Sequence, residues 1–494
     1  MTLLNKHDAP TAQSGVESSE LADKAATLVH ESTPDTNADV TANSAVELTT
    51  ESVVESTLES AANSTAYVGP EAAFDCDIII VGAGPVGLAL AGDLMRRSAT
   101  APLSLILLDA RDLDASTRDP RVLALSYGSR VLLEPLGWSN EVTPIEKIHI
   151  SQRGHFGRAE IDRHEHDLPA LGYVVRYGAL TRALHAGFHR QVSSGGRAQL
   201  RENCTVIATR QDAEGVTVQF SDATRTTGKL RARLVIHAEG GLASHAIEER
   251  RSRDYGQTAI VGAVRCDAPL PRVAWERFTL EGPIALLPLA ESGAQHSAAS
   301  LVPASASASS AHAAPAKNAT APQRACDYAL VWCQTPDNAQ RRLALSDADF
   351  LMELGHTFGS RVGHFTHIEG RARFPLGLQS RTTLVDGLTA AIGNAAQTLH
   401  PVAGQGLNLG MRDAQALAAA LGQHGPTAAA LQKFATDRRV DRTITIGLTD
   451  SLARGFTVDF PPLAALRGFA LAALDFLPAT KTLLARQMMF GQRR

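Results

Sequence analysis

Few cysteines and the absence of a long apolar run limit what this chain can be. Its 494 residues include five scattered cysteines without C-x-x-C spacing, so we expect free thiols and neither a disulfide framework nor a zinc site. The longest apolar stretch near the carboxy terminus, residues 469–477, contains Asp475 and stops at Pro478, well short of the roughly twenty residues that span a bilayer. The amino terminus also lacks a signal-peptide pattern. These absences predict a cytoplasmic protein with no metal centre and no transmembrane helix.

Two segments of biased composition are expected to lie outside the folded domains. Residues 1–73 hold one aromatic side chain and carry a net charge of −10, which leaves +6 on the rest of the chain. We expect this acidic tail to be disordered, because it cannot bury enough apolar surface to offset chain entropy. The Ala/Ser-rich insert at 292–324 is expected to loop out between strands at 284–289 and 328–333. The small positive excess on the body could favour a phosphate-bearing cofactor or an anionic membrane surface, but it is more typical of solvated surface, and we expect no nucleic-acid partner.

A strand, a glycine turn and a helix follow one another at residues 77–97. Residues 78–81 are a continuous apolar run, typical of a parallel strand buried on both faces. Gly82, Gly84 and Gly87 then give the G-x-G-x-x-G spacing, which allows a tight turn, close approach of a pyrophosphate and close helix packing. The order predicts FAD or NAD binding; the alternative is a glycine-rich turn in an ordinary α/β domain.

An acidic residue stands where such a cofactor needs it. A second apolar run, residues 103–108, ends in Asp109, about twenty residues after the last glycine, where a carboxylate accepts hydrogen bonds from ribose hydroxyls. The carboxylate strengthens the prediction of a dinucleotide site.

A second glycine-rich segment, residues 385–413, indicates another cofactor loop. We expect a short strand at 388–392 and a sharp turn at Gly393 and Asn394. Gly404 to Gly406 would then form a flexible approach to a helix at 407–421. A helix amino terminus aimed at N1 and the C2 carbonyl of a reduced flavin stabilises the negative charge that gathers there. This favours a flavin over a nicotinamide as the resident cofactor.

Together these motifs resemble the class A FAD-dependent aromatic hydroxylases, and among them the ubiquinone-biosynthetic branch of 2-polyprenyl-6-methoxyphenol hydroxylases. The resemblance rests on GAGPVG at 82–87, the acid-glycine pair Glu239-Gly240, WERFTLEGPIALLPL at 275–289 and GNAAQTLHPVAGQGLNLGMRD at 393–413. It covers about residues 76–494 without the insert. The implied fold class is α/β: a Rossmann-like three-layer FAD-binding domain, an antiparallel-sheet substrate domain like that of para-hydroxybenzoate hydroxylase, and C-terminal helices.

The resemblance implies domains assembled from separate segments. We expect the FAD-binding domain to comprise residues 74–145, 179–252 and 374–425. The substrate domain is expected to comprise 146–178 and 253–373, and the C-terminal helices 426–494.

The resemblance also implies roles for individual residues. The cofactor-binding residues carried over are Gly82, Gly84 and Gly87 for the pyrophosphate, Asp109 for the adenosine ribose, Arg121 for the pyrophosphate or ribityl region, Glu239 and Gly240, Gly393 and Asn394 near the ribityl chain, and Gly404, Gly406, Leu407 and Asn408 at the pyrimidine edge. Glu239 stands where the family generally has aspartate. Pro401 would lie beside the flavin face where oxygen reacts. His400 is a candidate for acid-base catalysis; alternatively it holds the turn next to Pro401.

The implied reaction is reduction of FAD by NAD(P)H or another donor, capture of O2 as a flavin hydroperoxide, and hydroxylation of a polyprenyl phenol. Such a substrate is membrane-soluble, so the enzyme is expected at the inner face of the membrane, with other quinone-biosynthesis proteins as partners. Two alternatives stay open: a catabolic hydroxylase of a soluble phenol, and a non-catalytic scaffold of a quinone-biosynthesis complex. The sequence does not indicate an oligomeric state.

Overall fold

The computed structural model describes residues 73–154, 157–240, 250–289, 326–455, 468 and 477–491. The acidic tail predicted at 1–73, apart from residue 73, and the insert predicted at 292–324 lie outside the described residues.

The described strands and helices are numbered in chain order. The strands are β1 (Cys76–Val81), β2 (Leu105–Leu108), β3 (Val122–Ser126), β4 (Val142–Ile145), β5 (Lys147–Gln152), β6 (Arg158–Asp162), β7 (Gly172–Arg176), β8 (Ala198–Arg201), β9 (Thr205–Gln211), β10 (Val216–Ser221), β11 (Thr227–His237), β12 (Arg250–Cys266), β13 (Val273–Phe278), β14 (Pro283–Pro288), β15 (Tyr328–Gln334), β16 (Phe365–Arg381), β17 (Val385–Asp386), β18 (Thr389–Ala391) and β19 (Gln397–Thr398). The α-helices are α1 (Pro85–Arg96), α2 (Leu113–Thr117), α3 (Tyr127–Gly137), α4 (Tyr177–Ser193), α5 (Pro336–Leu343), α6 (Asp347–Phe358), α7 (Gln405–His424), α8 (Ala428–Gly455) and α9 (Pro478–Phe490).

A largely parallel sheet forms the centre of the cofactor-binding part. Its order is β17-β18-β11-β1-β2-β8, with β10 and β9 added antiparallel beyond β11. Along β1, Ile78 and Ile80 pack toward α1, whereas Ile79 and Val81 pack toward β10. Both faces of β1 are therefore covered, which explains why its sequence is continuously apolar instead of alternating.

A large antiparallel sheet, in the order β19-β16-β12-β15-β14-β13-β5-β6, forms the second layer of the molecule. Within it β13 and β5 run parallel, and the other pairs are antiparallel. Helices α5 and α6 cover one of its faces through a core that includes Trp332, Phe350 and Phe358. This sheet matches the predicted α/β organisation with an antiparallel substrate layer.

One strand pairs differently from the expectation. The segment 146–178 was expected to join the antiparallel sheet, and β5 and β6 do so, but β7 pairs with β3 and β4 in a separate small sheet. Tyr173, Val174 and Val175 of β7 are all buried. Because the backbone N–H and C=O groups of a buried strand need hydrogen-bond partners, β7 lies between the two shorter strands and ties the segment to the FAD-binding side.

Long helices follow the second glycine segment. Helix α7 runs beyond the predicted 407–421 and packs against α1 and α8. Among the described helices, none combines the length and the apolar character needed to cross a bilayer. The five cysteines are all described, buried and free of disulfide bonds, as the sequence predicts.

Candidate cofactor and active site

The first glycine turn is held by contacts that leave no room for side chains. Gly82 has φ +99°, and a Cβ on it would lie 2.8 Å from the Ala238 backbone at the end of β11. A Cβ on Gly87 would lie 1.9 Å from the Gly82 carbonyl oxygen. The turn therefore brings the first turn of α1 against two neighbouring strands, and this spacing requires glycine at both positions.

Two helices point uncapped amino termini at the same space. Helix α1 begins after Gly84 and α7 begins after Gly404, which has φ +60°, and no side chain caps either helix. The first N–H groups of a helix have no partner within the helix, and they carry a partial positive charge. Two such ends in one cavity form a strong site for the anionic and polar parts of a dinucleotide.

A cavity of about 640 Å³ lies between these helix ends. Ten of the predicted cofactor-binding residues line it, namely Gly82, Gly84, Asp109, Arg121, Glu239, Gly240, Gly393, Asn394, Gly406 and Leu407. Segments far apart in sequence thus meet as the two glycine motifs predict. Gly87, Gly404, Asn408, His400 and Pro401 are not among the lining residues, and the roles proposed for all the site residues stay predictions.

The Asp109 carboxylate connects the glycine turn after β1 to the segment that follows β2. Its Oδ2 accepts a hydrogen bond from Ala83 N at 2.7 Å, and its Oδ1 accepts one from Arg111 N at 2.8 Å. A carboxylate has about four acceptor positions, so two remain for ribose hydroxyls. The residue both orders the glycine turn and presents acceptors to the cavity.

Two side chains that the sequence reasoning missed, Arg111 and Tyr177, line the cavity beside the predicted Asp109 and Arg121. Tyr177, at the start of α4, lines the cavity, and the Arg121 guanidinium stacks over its ring at 4.6 Å. Arg121 is held by Asp119 at 2.7 Å, while Arg111 Nη2 lies 3.5 Å from the Tyr177 hydroxyl. Arg111 carries a weak sequence signal, since it stands two residues after the ribose-binding acid, whereas Tyr177 carries none. The aromatic platform and its two cations suit a phosphate or a planar ring.

Glu239 gives a direct test of whether the cavity suits FAD. Its Oε1 lies 3.1 Å from His237 Nδ1, and its Oε2 is buried with no hydrogen-bond partner among the described residues. Leaving a buried carboxylate oxygen unpaired is costly, and a hydroxyl-rich ligand would satisfy it. The glycine cradle and this acceptor both fit the ribose and ribityl hydroxyls of FAD.

The second glycine loop packs directly on the first. Gly393 has φ +60°, and a Cβ on it would lie 3.1 Å from Val86 in α1. A Cβ on Gly410 would lie 3.0 Å from the Gly393 Cα. Asn394 therefore projects from a turn that is clamped between α1 and α7, with its side chain exposed at the cavity wall.

Both ring nitrogens of His400 have hydrogen-bond partners within the protein. Its Nδ1 accepts a hydrogen bond from Val402 N at 3.2 Å, and its Nε2 pairs with Gln257 Oε1 at 2.9 Å. Burial lowers the pKa of the imidazole to about 4, so the ring is neutral at physiological pH. These contacts favour the alternative in which His400 fixes the turn, and they leave exposed Pro401 at the outer side of that turn.

The Asn408 side chain likewise forms its hydrogen bonds within the protein. Its Oδ1 accepts hydrogen bonds from Ser126 N at 2.8 Å and Ser129 Oγ at 2.7 Å, and its Nδ2 donates to the Ala124 and Gly404 carbonyls. All four contacts tie α7 to β3 and α3. The side chain supports the loop, and the backbone contact that the resemblance implies stays a prediction.

A buried ion network anchors the loop from behind. Asp413 is 0% exposed and pairs with Arg438 at 2.7 Å, while Arg412 pairs with Asp441 at 2.9 Å. Gln397 Nε2 also donates to Asp413 at 2.9 Å. The network links the segment after Gly393 to α8, so that the loop geometry depends on the C-terminal helices.

One group of described residues has the composition of a metal site. Ligand atoms of Cys326, His367 and Glu369 lie within 4.8 Å of one another. Burial and the charge of Glu369 raise the pKa of the Cys326 thiol to about 11, and metal binding needs a thiolate. Because these residues do not line the cavity, we propose no metal role for them.

Comparison with known proteins also indicates an FAD-binding protein. Residues 75–440 match a protein family described as FAD binding domain. The chain is 30% identical to a ubiquinone hydroxylase named UbiL from Rhodospirillum rubrum, over 84% of this chain and 89% of that protein. It is 27% identical to the 3-demethoxyubiquinol 3-hydroxylase of Escherichia coli K12, over 81% and 94%. Its fold matches p-nitrophenol 4-monooxygenase PnpA from Pseudomonas putida with TM-score 0.62 at 16% identity, over 85% and 99%.

Proposed function

The chain belongs to the FAD-binding domain family, and we propose on that basis that it is an FAD-dependent monooxygenase that hydroxylates the ring of a polyprenyl phenol in ubiquinone biosynthesis. The observation that carries the proposal is the meeting of two uncapped helix ends and two side-chain-excluding glycine turns around one cavity. The names of relatives matched over most of their lengths support the substrate class.

We propose that FAD is held by the ten cavity-lining residues predicted from the sequence, together with Arg111 and Tyr177. The first helix end and Arg121 would hold the pyrophosphate, Asp109 and Glu239 would accept hydrogen bonds from ribose and ribityl hydroxyls, and the end of α7 would meet the pyrimidine edge. When bound, FAD supplies the activation of O2 for insertion into an aromatic ring.

The protein's own contributions are positioning and exclusion of water. The turn at Pro401 is held by His400 and by the packing of Val402 against Phe278 and Ala453. A turn held this firmly keeps the substrate ring and the cofactor in one orientation and keeps bulk water from the reacting atoms.

NAD(P)H is the proposed electron donor. The sequence has a single G-x-G-x-x-G, so we propose that the donor binds transiently and has no Rossmann domain of its own. A polyprenyl tail is membrane-soluble, so we also propose that the protein meets its substrate at the bilayer surface or within a complex of quinone-biosynthesis proteins.

The test combines a cell and a purified enzyme. A host strain lacking this protein and grown with oxygen is expected to accumulate a polyprenyl phenol and lose ubiquinone, as measured by mass spectrometry. Purified protein with NAD(P)H and ¹⁸O2 is expected to place one labelled oxygen on the ring. Complementation should succeed with Glu202→Gln, an exposed acid that is not among the residues lining the cavity, and fail with Gly87→Ala.

Two results would contradict the proposal. An unchanged quinone profile together with turnover of a water-soluble phenol would favour the soluble-phenol alternative. Product formation without O2, or labelled product from H2¹⁸O, would exclude monooxygenation altogether.

A further inference from the structure

Strand β13 divides its side chains between two environments. Successive residues of a strand point to opposite faces, and Trp275 lies on the face covered by α6, where its ring meets Phe358 edge-on at 6.2 Å. Ala274, Glu276 and Phe278 therefore share the opposite face.

That opposite face is directed at the second cofactor loop. Phe278 packs in a cluster with Val402, the residue after Pro401. Ala274 packs in a cluster with Ala124, and a Cβ on Gly404 would lie 3.3 Å from the Ala124 Cβ. Alternate residues on a strand are about 7 Å apart. Glu276, between the two, thus stands over the loop from residue 401 to residue 404.

Glu276 is a carboxyl set between apolar neighbours on the adjacent strands. Its neighbours in register are Ile150 on β5 and Ala285 on β14. Its Oε1 is buried, and among the described residues it has no hydrogen-bond partner. Burial raises the pKa of the carboxyl to about 8. A carboxyl with one buried, unpaired oxygen destabilises the fold, and such groups concentrate at functional sites.

The neighbouring titratable groups do not satisfy it. The Cys333 thiol on β15 is close enough for the Glu276 charge to contribute to its raised pKa, after burial itself. Across the loop, Tyr255 donates to Asp450, and His400 is neutral and paired with Gln257. No described cation forms an ion pair with Glu276, so its natural partner is a proton donor that arrives with a ligand.

We propose that Glu276 is the proton acceptor for the phenolic hydroxyl of the substrate, a proposal that rests on the function proposed above. The phenol O–H bond breaks and an O–H bond forms at Glu276 Oε1, while the electron pair stays on the ring oxygen. A ring carbon then forms a C–O bond to one oxygen atom of O2, the O–O bond breaks, and the other oxygen atom leaves as water with protons taken from solvent; bound FAD would pass on the two electrons that NAD(P)H supplies. The ring carbon loses its hydrogen as a proton to water, and Glu276 returns its proton to the ring oxygen.

The acid is suited to this role on physical grounds. A general base works best when its pKa lies near the working pH, and a pKa of about 8 leaves a fraction of the Glu276 carboxyl ionised at neutral pH. A phenolate is also a stronger nucleophile at its ring carbons than the neutral phenol. The ring would lie between the β13 face and the loop at Pro401, with its hydroxyl toward β13.

The first experiment is a binding measurement that needs no turnover. The FAD-loaded oxidised enzyme is titrated without NAD(P)H with 2-geranyl-6-methoxyphenol, and phenolate is followed by ultraviolet difference absorbance from pH 7 to 11. Wild type is expected to raise the apparent pKa of the bound phenol by at least one unit, because an ionised carboxylate beside the hydroxyl disfavours a second negative charge. Glu276→Gln, which keeps shape and removes the proton acceptor, should abolish that shift, and Glu202→Gln should not.

Turnover then separates chemistry from binding. Glu276→Gln is expected to lower kcat about 100-fold while KM changes less than threefold, and its kcat should recover as pH approaches the phenol's own pKa. Glu276→Asp, which keeps a carboxylate, should recover part of the loss. FAD content equal to wild type confirms that each variant folds.

The outcomes distinguish the two proposals. Wild-type phenolate signal and wild-type kcat in Glu276→Gln would overturn the role of Glu276 and leave the proposed function standing. A wild-type enzyme that holds FAD but neither binds nor hydroxylates the prenylated phenol would overturn the proposed function, and the role of Glu276 with it.

Discussion

Replacing Glu276 with glutamine should change how stability depends on pH. In the folded protein, burial holds the pKa of this carboxyl at about 8, against an ordinary value of 4.5. Between these two pH values the folded state keeps a proton that the unfolded state has lost. Stability therefore falls as pH rises through this window, and the contribution is fully present only below pH 4.5.

The size of the effect follows from the same two values. At about 1.4 kcal/mol per pH unit, the window sets a ceiling of about 5 kcal/mol, of which about 3 kcal/mol lies between pH 5.5 and pH 8. Because the residue as a whole is only partly buried, we expect about 1 to 3 kcal/mol of this in practice. Glutamine has no proton to lose, so the free energy of unfolding of Glu276→Gln should exceed that of wild type increasingly as pH rises.

The assay is urea unfolding at several pH values, followed by tryptophan fluorescence. Trp275 and Trp332 lie buried on the other face of the same sheet, so their emission reports on the layer that holds Glu276. Glu202→Gln serves as the control because its side chain is exposed, and it should track wild type at every pH. A constant difference between Glu276→Gln and wild type from pH 5.5 to pH 8.5 would refute the reasoning.

Three further predictions test the site and its support. Gly87→Ala would place a Cβ 1.9 Å from the Gly82 carbonyl oxygen, so the purified protein should carry little FAD by its flavin-to-protein absorbance ratio; a normal ratio would contradict the close packing. Asp413→Asn should cost about 1–3 kcal/mol of unfolding free energy in urea because it removes one of the two carboxylates that pair with buried Arg438; a cost below 1 kcal/mol would show that the network is not structurally important. Since burial holds the pKa of His400 at about 4, NMR should show no titration of its imidazole between pH 6 and 8, and stability should fall from pH 6.5 to 4 more in wild type than in His400→Gln.

The predicted fold class is confirmed, and short sequence patterns were enough to predict it. The continuous apolar run of β1, the glycine spacing after it and the acid at Asp109 each follow from short-range constraints, and each lies where predicted. The second loop was also predicted from local pattern, with a short strand before Gly393 and a helix after Gly404. The pairing of β7 with β3 and β4 was missed, since strand partners depend on long-range packing.

The parts of the site that sequence reasoning missed have no local signature. Tyr177 begins an ordinary helix, yet the fold places its ring under Arg121. His400 attracts attention as a catalytic candidate, but its two hydrogen bonds and its burial come from Val402 and from Gln257, which lies 143 residues away. Arg412 and Asp413 are adjacent charged residues, and only the fold shows that both are buried and paired with Asp441 and Arg438 on α8.

The sequence by itself determined the chemistry of the cofactor loops, because glycine at a positive φ or in a gap without room for a Cβ is a requirement of single positions. Tertiary structure decided which polar groups face a ligand and which form hydrogen bonds or ion pairs within the protein. Glu276 shows the difference: the sequence places it only in the family-like segment 275–289, and the contacts of Ala274 and Phe278 on either side put it on the face of β13 that lies toward the loop. Burial, and with it the pKa of a side chain, depends on segments that are distant along the chain and meet only when it folds.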